Sequence, residues 1–178
     1  MCSLDNFKID LKGLHEGSNL LSYDIHDGYF QAVQAAGISG GDVRVDLNVQ
    51  RTGDVFTLDF HTEGTVIVPC DICLDDMEQP IKTDNRLAVK FGEEYSDEDD
   101  EVVTVAETEG TLDVAWFIYE FIALAIPVRH VHAEGGCNPA MLEALEQHSA
   151  SRNAEDKTAG DIDPRWKELE KLKTIIKD

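Results

Sequence analysis

The sequence lacks any apolar segment that could cross a membrane, because none approaches the roughly 20 consecutive apolar residues that a bilayer span requires. Its first residues, MCSLDNFKIDLKGL, also lack the basic start and the continuous apolar stretch of a signal peptide. We therefore expect a cytoplasmic protein with no membrane association.

Basic residues are scarce as well. The chain has 15 Lys and Arg against 36 Asp and Glu, and its formal net charge is −21. A field of this sign repels phosphate backbones, so direct binding to nucleic acid is disfavoured. The charge favours a basic partner, such as a ribosomal protein or another Lys/Arg-rich chain, although acidity also simply keeps a protein soluble.

Helical patterns are scarce before residue 111, where alternating apolar residues instead predict strands. The segments DVRVDLNV, VFTLDFH and TVIVPC are separated by the turn sequences RTGD and TEG, which predicts three consecutive strands. Weaker strand patterns are FKIDL, LLSYDI, YFQAV, RLAVKF and VVTVA. We expect an antiparallel meander or a small, partly closed barrel in the N-terminal two-thirds of the chain.

Two helices follow this predicted sheet. TLDVAWFIYEFIALAIP has apolar residues at helical spacing and predicts a core helix over about 112–125 that ends before Pro127. PAMLEALEQH predicts a short helix with Asn138 as its cap. The fold class is therefore α+β and mainly β, with a single domain over residues 1–148.

The remaining segments are polar or amphipathic. Seven acidic residues between Glu93 and Glu101 predict a solvated loop or a docking site for a basic partner. Residues 149–162 predict a flexible linker. Residues 163–178 predict a C-terminal helix whose apolar stripe either packs on its own domain or engages a partner. This stripe consists of Trp166, Leu169, Leu172 and Ile176.

Cysteine is rare, and the four thiols are therefore informative. Cys70 and Cys73 form a C-x-x-C, and Cys137 follows His132 after four intervening residues. Structural zinc requires four nitrogen or sulfur ligands, and C-x-x-C…H-x4-C supplies them from two tight turns. By spacing alone His130 remains an alternative ligand. Buried free cysteines at a strand end are the simpler interpretation of the C-x-x-C.

Two catalytic interpretations of the C-x-x-C are also open. A thioredoxin-like pair requires a helix after the cysteines, whereas here three acidic residues follow them without a helical pattern, which disfavours a thiolate. A zinc-dependent hydrolase or deaminase would combine PCDIC with HAE and use Glu134 as the acid/base. In that class of deaminase the His–Glu element comes first, and this chain has the reverse order.

The combination of VPCDICLDDM, an acidic loop and LDVAWFIYEFIALAIPVRHVHAEGGC resembles the YceD family, the large ribosomal RNA subunit accumulation proteins. The closing DPRWKELEKLK is also similar to that family, and the resemblance covers roughly residues 20–178. It implies a non-enzymatic role in accumulation or processing of large-subunit ribosomal RNA. Combined with the net charge of −21, this leads to the hypothesis that the protein acts through a basic ribosomal protein or a pre-ribosomal complex. The resemblance also implies a structural zinc site at Cys70, Cys73, His132 and Cys137, and it favours His132 over His130.

Overall fold

The computed structural model describes residues 3–97 and 102–148. A short 3-10 turn over Leu4–Phe7 precedes the first strand. The elements that follow are β1 (Lys8–Asp10), β2 (Gly17–Ile25), α1 (Asp27–Ala32), β3 (Gly40–Thr52), β4 (Val55–Pro69), β5 (Asp76–Gly92), β6 (Val102–Ala106), β7 (Thr111–Asp113), α2 (Ala115–Ala125) and α3 (Pro139–His148).

The chain forms two compact units, residues 1–142 and 143–178, and α3 begins in the first and ends in the second. The predicted linker at 149–162 and the predicted helix at 163–178 lie outside the described residues, as do residues 98–101 of the acidic loop. Within the described ranges, no helix is long and apolar enough to cross a membrane.

The main sheet has the strand order β2-β3-β4-β5-β6, and a separate two-stranded sheet pairs β1 with β7. The four strands β2 to β5 form an antiparallel meander, as the sequence predicts. The two-residue turn within RTGD joins β3 to β4, with Gly53 at a φ of +64°. The fold class, α+β and mainly β, is therefore confirmed.

The sheet is not closed, and of the two expected arrangements the meander is the one observed. The last pairing, of β5 with β6, is parallel, so the sheet is mixed rather than wholly antiparallel. The sequence did not indicate this pairing, because the alternation of apolar residues in a strand does not record the direction of its neighbour. Strands β2 and β6 are the two edges.

The predicted turn at TEG is wrong, because β4 continues through it without interruption. Gly64 lies opposite Val43 in the pairing of β3 with β4. A Cβ atom at Gly64 would lie only 2.6 Å from the Cα of Val43. The glycine therefore permits a close approach of two backbones within a continuous strand, and it does not mark a turn.

The predicted strand at YFQAV is also wrong, because its first residues belong to helix α1. Tyr29, Phe30 and Val33 are buried, a spacing that suits one face of a helix and does not alternate as a strand would. The Asp27 carboxylate at the start of α1 accepts a hydrogen bond of 2.9 Å from the Gly41 amide, which holds the helix beside β3.

The core lies between the inner face of the main sheet and helix α2. Ile118 and Ile122 of α2 are buried, and burial of a side chain of this size contributes roughly 1.5–3 kcal/mol. The ring of Phe121 meets that of Phe60 edge-on at 5.1 Å between centroids. Helix α2 starts later than predicted because Thr111–Asp113 pair with β1 as strand β7, and the Asp113 carboxylate then accepts the Ala115 amide at 2.9 Å.

One polar side chain interrupts this core. Thr62 of β4 is 1% exposed, and its hydroxyl has no hydrogen-bond partner among the described residues. We predict that Thr62→Val, which keeps the shape of the side chain, raises the free energy of unfolding by about 1 kcal/mol in urea denaturation, because no buried hydroxyl then remains without a partner. Thr65→Val, at a half-buried position of the same strand, is the control and should have little effect. A loss of stability in Thr62→Val would contradict the prediction.

Candidate metal centre

The first half of the site is the loop that joins β4 to β5. Pro69 ends β4, as the sequence predicts, and Asp76 begins β5. Within the loop the Leu74 amide donates to the Cys70 carbonyl at 2.9 Å, and the Cys70 amide donates to the Asp75 carbonyl at 2.9 Å. This tight turn leaves both cysteine side chains buried, although they lie at the end of the sheet.

The second half is the turn that follows α2 and precedes α3. The Gly136 amide donates to the Ala133 carbonyl at 2.8 Å, and Gly135 has a φ of +81°, a left-handed conformation that glycine adopts without strain. His132 and Cys137 flank this turn and are half-buried. The two glycines therefore bend the chain so that an imidazole and a thiol face the same point.

The two halves meet, and the four side chains converge on one point. Their ligand atoms all lie within 4.8 Å of one another. The Cys70 and Cys137 Sγ atoms are 3.8 Å apart, and the His132 Nδ1 atom lies 3.4 Å from the Cys73 Sγ and 3.9 Å from the Cys137 Sγ. The residues singled out from the sequence are thus neighbours in space.

These separations match the edges of a tetrahedron around a zinc ion. With Zn–S bonds of about 2.3 Å and Zn–N bonds of about 2.0 Å, ligand atoms at tetrahedral angles lie roughly 3.5–3.8 Å apart. A donor set of three thiols and one imidazole is one of the standard sets for structural zinc. The residues present therefore fit a zinc ion in both chemistry and geometry.

The thiols of Cys70 and Cys137 have pKa values that are shifted in opposite directions. Burial raises the pKa of the Cys70 thiol, but hydrogen bonds from the backbone amides of Cys73, Ile72 and His132 outweigh it and lower the pKa to about 6. Burial and the neighbouring thiols Cys70 and Cys73 raise the pKa of Cys137 to about 11. The cluster therefore favours ionisation of one thiol and opposes ionisation of a second. A bound cation would stabilise the further thiolates.

His130 has a different place in the structure. Its imidazole Nδ1 lies 3.0 Å from the Pro127 carbonyl, its amide donates to the Asp71 carboxylate at 2.8 Å, and its carbonyl accepts the Asp71 amide at 3.0 Å. It is absent from the cluster of four ligand atoms. His130 therefore binds the first turn to the second from outside the cluster.

Asp71 and Asp75 are the residues of this site that the sequence analysis missed. Asp71 contacts His130, and the Asp75 carboxylate accepts a hydrogen bond of 3.1 Å from the Asn138 side chain. Both lie in the C-x-x-C loop, where the pattern indicated only that acidic residues disfavour a redox thiolate. Their partners lie more than fifty residues away along the chain, so no local spacing could have identified them.

Glu134 is exposed in the second turn, and among the described residues no hydrogen bond involves it. The four protein donors would fill a tetrahedral shell around a zinc ion, whereas catalytic zinc keeps one position for water. The C-x-x-C continues into strand β5 and not into a helix, so no helix N-terminus acts on its first thiol. The lowered pKa of Cys70 is a feature that a redox thiol would share, and it differs from the expectation that the acidic residues disfavour a thiolate, but the Cys70 side chain is buried.

Asn138 joins the site to helix α3. Its side-chain oxygen accepts the Ala140 amide at 3.1 Å, which is the predicted cap, while its side-chain nitrogen donates to Asp75. We predict that Asn138→Ala lowers the free energy of unfolding by about 1 kcal/mol and that Asn138→Ser, which retains a capping oxygen, recovers most of the loss. Urea denaturation checks both, and equal losses in the two variants would show that the cap is not responsible.

Comparison with known proteins finds one family. The model of the family described as "Large ribosomal RNA subunit accumulation protein YceD" matches residues 58–173, about two thirds of the chain. Neither the curated proteins nor the solved structures give a match. The matched range contains both halves of the candidate metal centre and the whole of helix α2. The chain belongs to the YceD family.

Proposed function

We propose that this protein is a non-enzymatic ribosome-assembly factor that supports the accumulation or processing of large-subunit ribosomal RNA. The observation that carries the proposal is the family match over residues 58–173, whose description names accumulation of the large ribosomal RNA subunit. The four-ligand cluster supports a non-catalytic role, since it supplies every ligand from the protein.

We further propose that the protein acts through a basic partner, which is a ribosomal protein or a pre-ribosomal complex, and not by binding RNA directly. A net charge of −21 repels a phosphate backbone and attracts Lys/Arg-rich chains. The acidic segment 93–101 and the C-terminal segment 163–178 are the contact elements in this proposal, and the cytoplasm is where ribosome assembly would place the protein.

We propose a structural Zn²⁺ held by Cys70, Cys73, His132 and Cys137. The ion would join the hairpin loop at the end of β4 to the turn after α2. Outside the cluster itself, these two segments are connected by hydrogen bonds of Asp71 with His130 and of Asp75 with Asn138. When bound, zinc would supply a cross-link and no chemistry, because the four donors complete its coordination. Its role would be to hold the fold together.

Metal analysis tests this site. Protein purified without chelator should contain about one zinc per chain, and removal of the metal by a strong chelator should lower the midpoint of thermal unfolding. His132→Ala and Cys73→Ser should lose the metal, whereas His130→Ala, which removes a neighbouring imidazole outside the cluster, should keep it. Absence of zinc from the unaltered protein, or loss of zinc in His130→Ala with retention in His132→Ala, would refute the assignment.

Deletion of the gene tests the function. We predict a lowered ratio of large-subunit to small-subunit ribosomal RNA in the deletion strain, with recovery when the full chain is supplied. Cross-linking in that strain should recover a basic ribosomal protein with the tagged full chain and less of it with a chain that lacks residues 93–101. An unchanged RNA ratio would contradict the function. Recovery of bare ribosomal RNA without a basic protein, undiminished by the deletion, would contradict the partner.

A further inference from the structure

Strand β2 is an unusually open edge of the main sheet. It is nine residues long, and within the described part of the chain its only hydrogen-bonded neighbour strand is β3. Proteins protect such edges with lysine, proline or bulges, but the sequence GSNLLSYDI has neither lysine nor proline and carries its single charge at Asp24. An open edge of this length is a template for another strand.

The other free edges of the sheet differ from β2. Strand β6 has only five residues. The first part of β5 is also unpaired on one side, since β6 pairs with it only from Ala88 onward, and there Pro80 and Lys82 protect it. Strand β2 is therefore the edge at which this sheet is best able to accept another strand.

A groove lies beside this edge on the outer face of the sheet, with a volume of about 830 Å³. The strand register places Leu20 next to Asn48, and Asn48 next to Asp59, in one row across the sheet. Ser22, Asp46 and His61 form the neighbouring row. Leu20 is 80% exposed and lies at the side of the groove that adjoins the free edge.

The charge of this outer face is negative. The rows that start from Leu20, Ser22 and Asp24 carry five carboxylates and three Lys or Arg side chains. The carboxylates are those of Asp24, Asp46, Asp59, Glu63 and Asp84, and the cations are Arg44, Lys82 and Arg86. Each cation already contacts one of these carboxylates, Arg86 with Asp59 at 2.6 Å, Lys82 with Glu63 at 2.7 Å and Arg44 with Asp46 at 3.1 Å, so the face keeps an excess of two carboxylates. A second copy of the chain would bring another net charge of −21 to this face, so charge disfavours a homodimer here and favours a basic occupant.

We propose that the β2 edge and its adjoining groove form a docking surface for an extended Lys/Arg-bearing segment of a protein partner, which adds to the sheet as a strand beside β2. Backbone hydrogen bonds along β2 provide the attachment, and an apolar side chain of the segment packs on Leu20. Its basic side chains reach the carboxylates of the outer face. The class of partner rests on the proposed function, but the surface is defined by the edge and the groove alone.

A designed peptide tests this surface. The probe is a fluorescent ten-residue peptide with threonine at even positions and lysine and valine in turn at odd positions, so that one face of the strand carries both types. It is titrated against the full chain at about 150 mM salt, where distant charges are screened. We expect saturable binding that Leu20→Lys weakens at least about fivefold through lost packing and added repulsion. Leu124→Lys on α2 is the matched control, because Leu124 is also 80% exposed and the charge change is the same, and it should alter the affinity less than about twofold.

Two further probes separate strand addition from simple charge attraction. A peptide of the same sequence that is N-methylated at alternate residues keeps its charges but lacks backbone donors on one edge, so the version methylated on the edge that faces β2 should lose binding. Equal weakening by Leu20→Lys and Leu124→Lys, unchanged binding of both alternately N-methylated peptides, or no binding of the peptide would overturn the proposal. Saturable binding of labelled single-stranded RNA to the unaltered chain, strengthened more by Asp46→Lys than by Leu124→Lys, would also overturn it, because this face would then accept a phosphate backbone.

The outcomes for this surface and for the proposed function are distinguishable. If the deletion strain shows lowered large-subunit RNA but Leu20→Lys and Leu124→Lys weaken peptide binding equally, the docking surface is wrong and the function stands. If Leu20→Lys weakens peptide binding and Leu124→Lys does not, but the RNA ratio is unchanged in the deletion strain, the surface stands and the function is wrong.

Discussion

The convergence of three thiols and one imidazole at the end of the sheet is the constraint on which the rest of this structure depends. Cys73 and His132 are separated by 58 residues in the sequence, yet their ligand atoms lie 3.4 Å apart. This contact requires the loop between β4 and β5 to lie at the end of the sheet that the segment after α2 reaches. It also requires α2 to cross the inner face of the sheet and the chain to bend after Pro127. A metal at this point would fix the hairpin loop to the segment that follows the core helix.

The sequence indicated which residues would lie together at this site, and the structure places them together. Ligand geometry limits the spacing of the cysteines, which singled out Cys70, Cys73 and Cys137, whereas spacing left His130 and His132 open and only the family resemblance favoured His132. Gly64 could not be interpreted correctly, because a glycine that forms a turn and a glycine that admits a neighbouring backbone look alike in a single sequence. The partners of Asp71 and Asp75 and the parallel pairing of β5 with β6 depend on long-range contacts, which no local pattern records.

The distribution of charge connects this fold to its proposed role. The inner face of the sheet is apolar and covered by α2, whereas the outer face and the loops carry the acidic excess. An acidic protein with an open sheet edge is well suited to hold a basic chain before that chain meets RNA, because it offers carboxylates and backbone hydrogen bonds together. We propose that a metal at the cluster would maintain the shape of the protein and that its exposed acidic surfaces would contact the partner.

The measurement that tests the central claim most directly is X-ray absorption at the zinc edge of the full chain purified without chelator. The account predicts a first shell of three sulfur atoms at about 2.3 Å and one nitrogen atom at about 2.0 Å. A shell in which an oxygen atom replaces one of these protein donors would instead indicate an open, catalytic type of site. A protein without zinc would contradict the structural role of the four residues altogether.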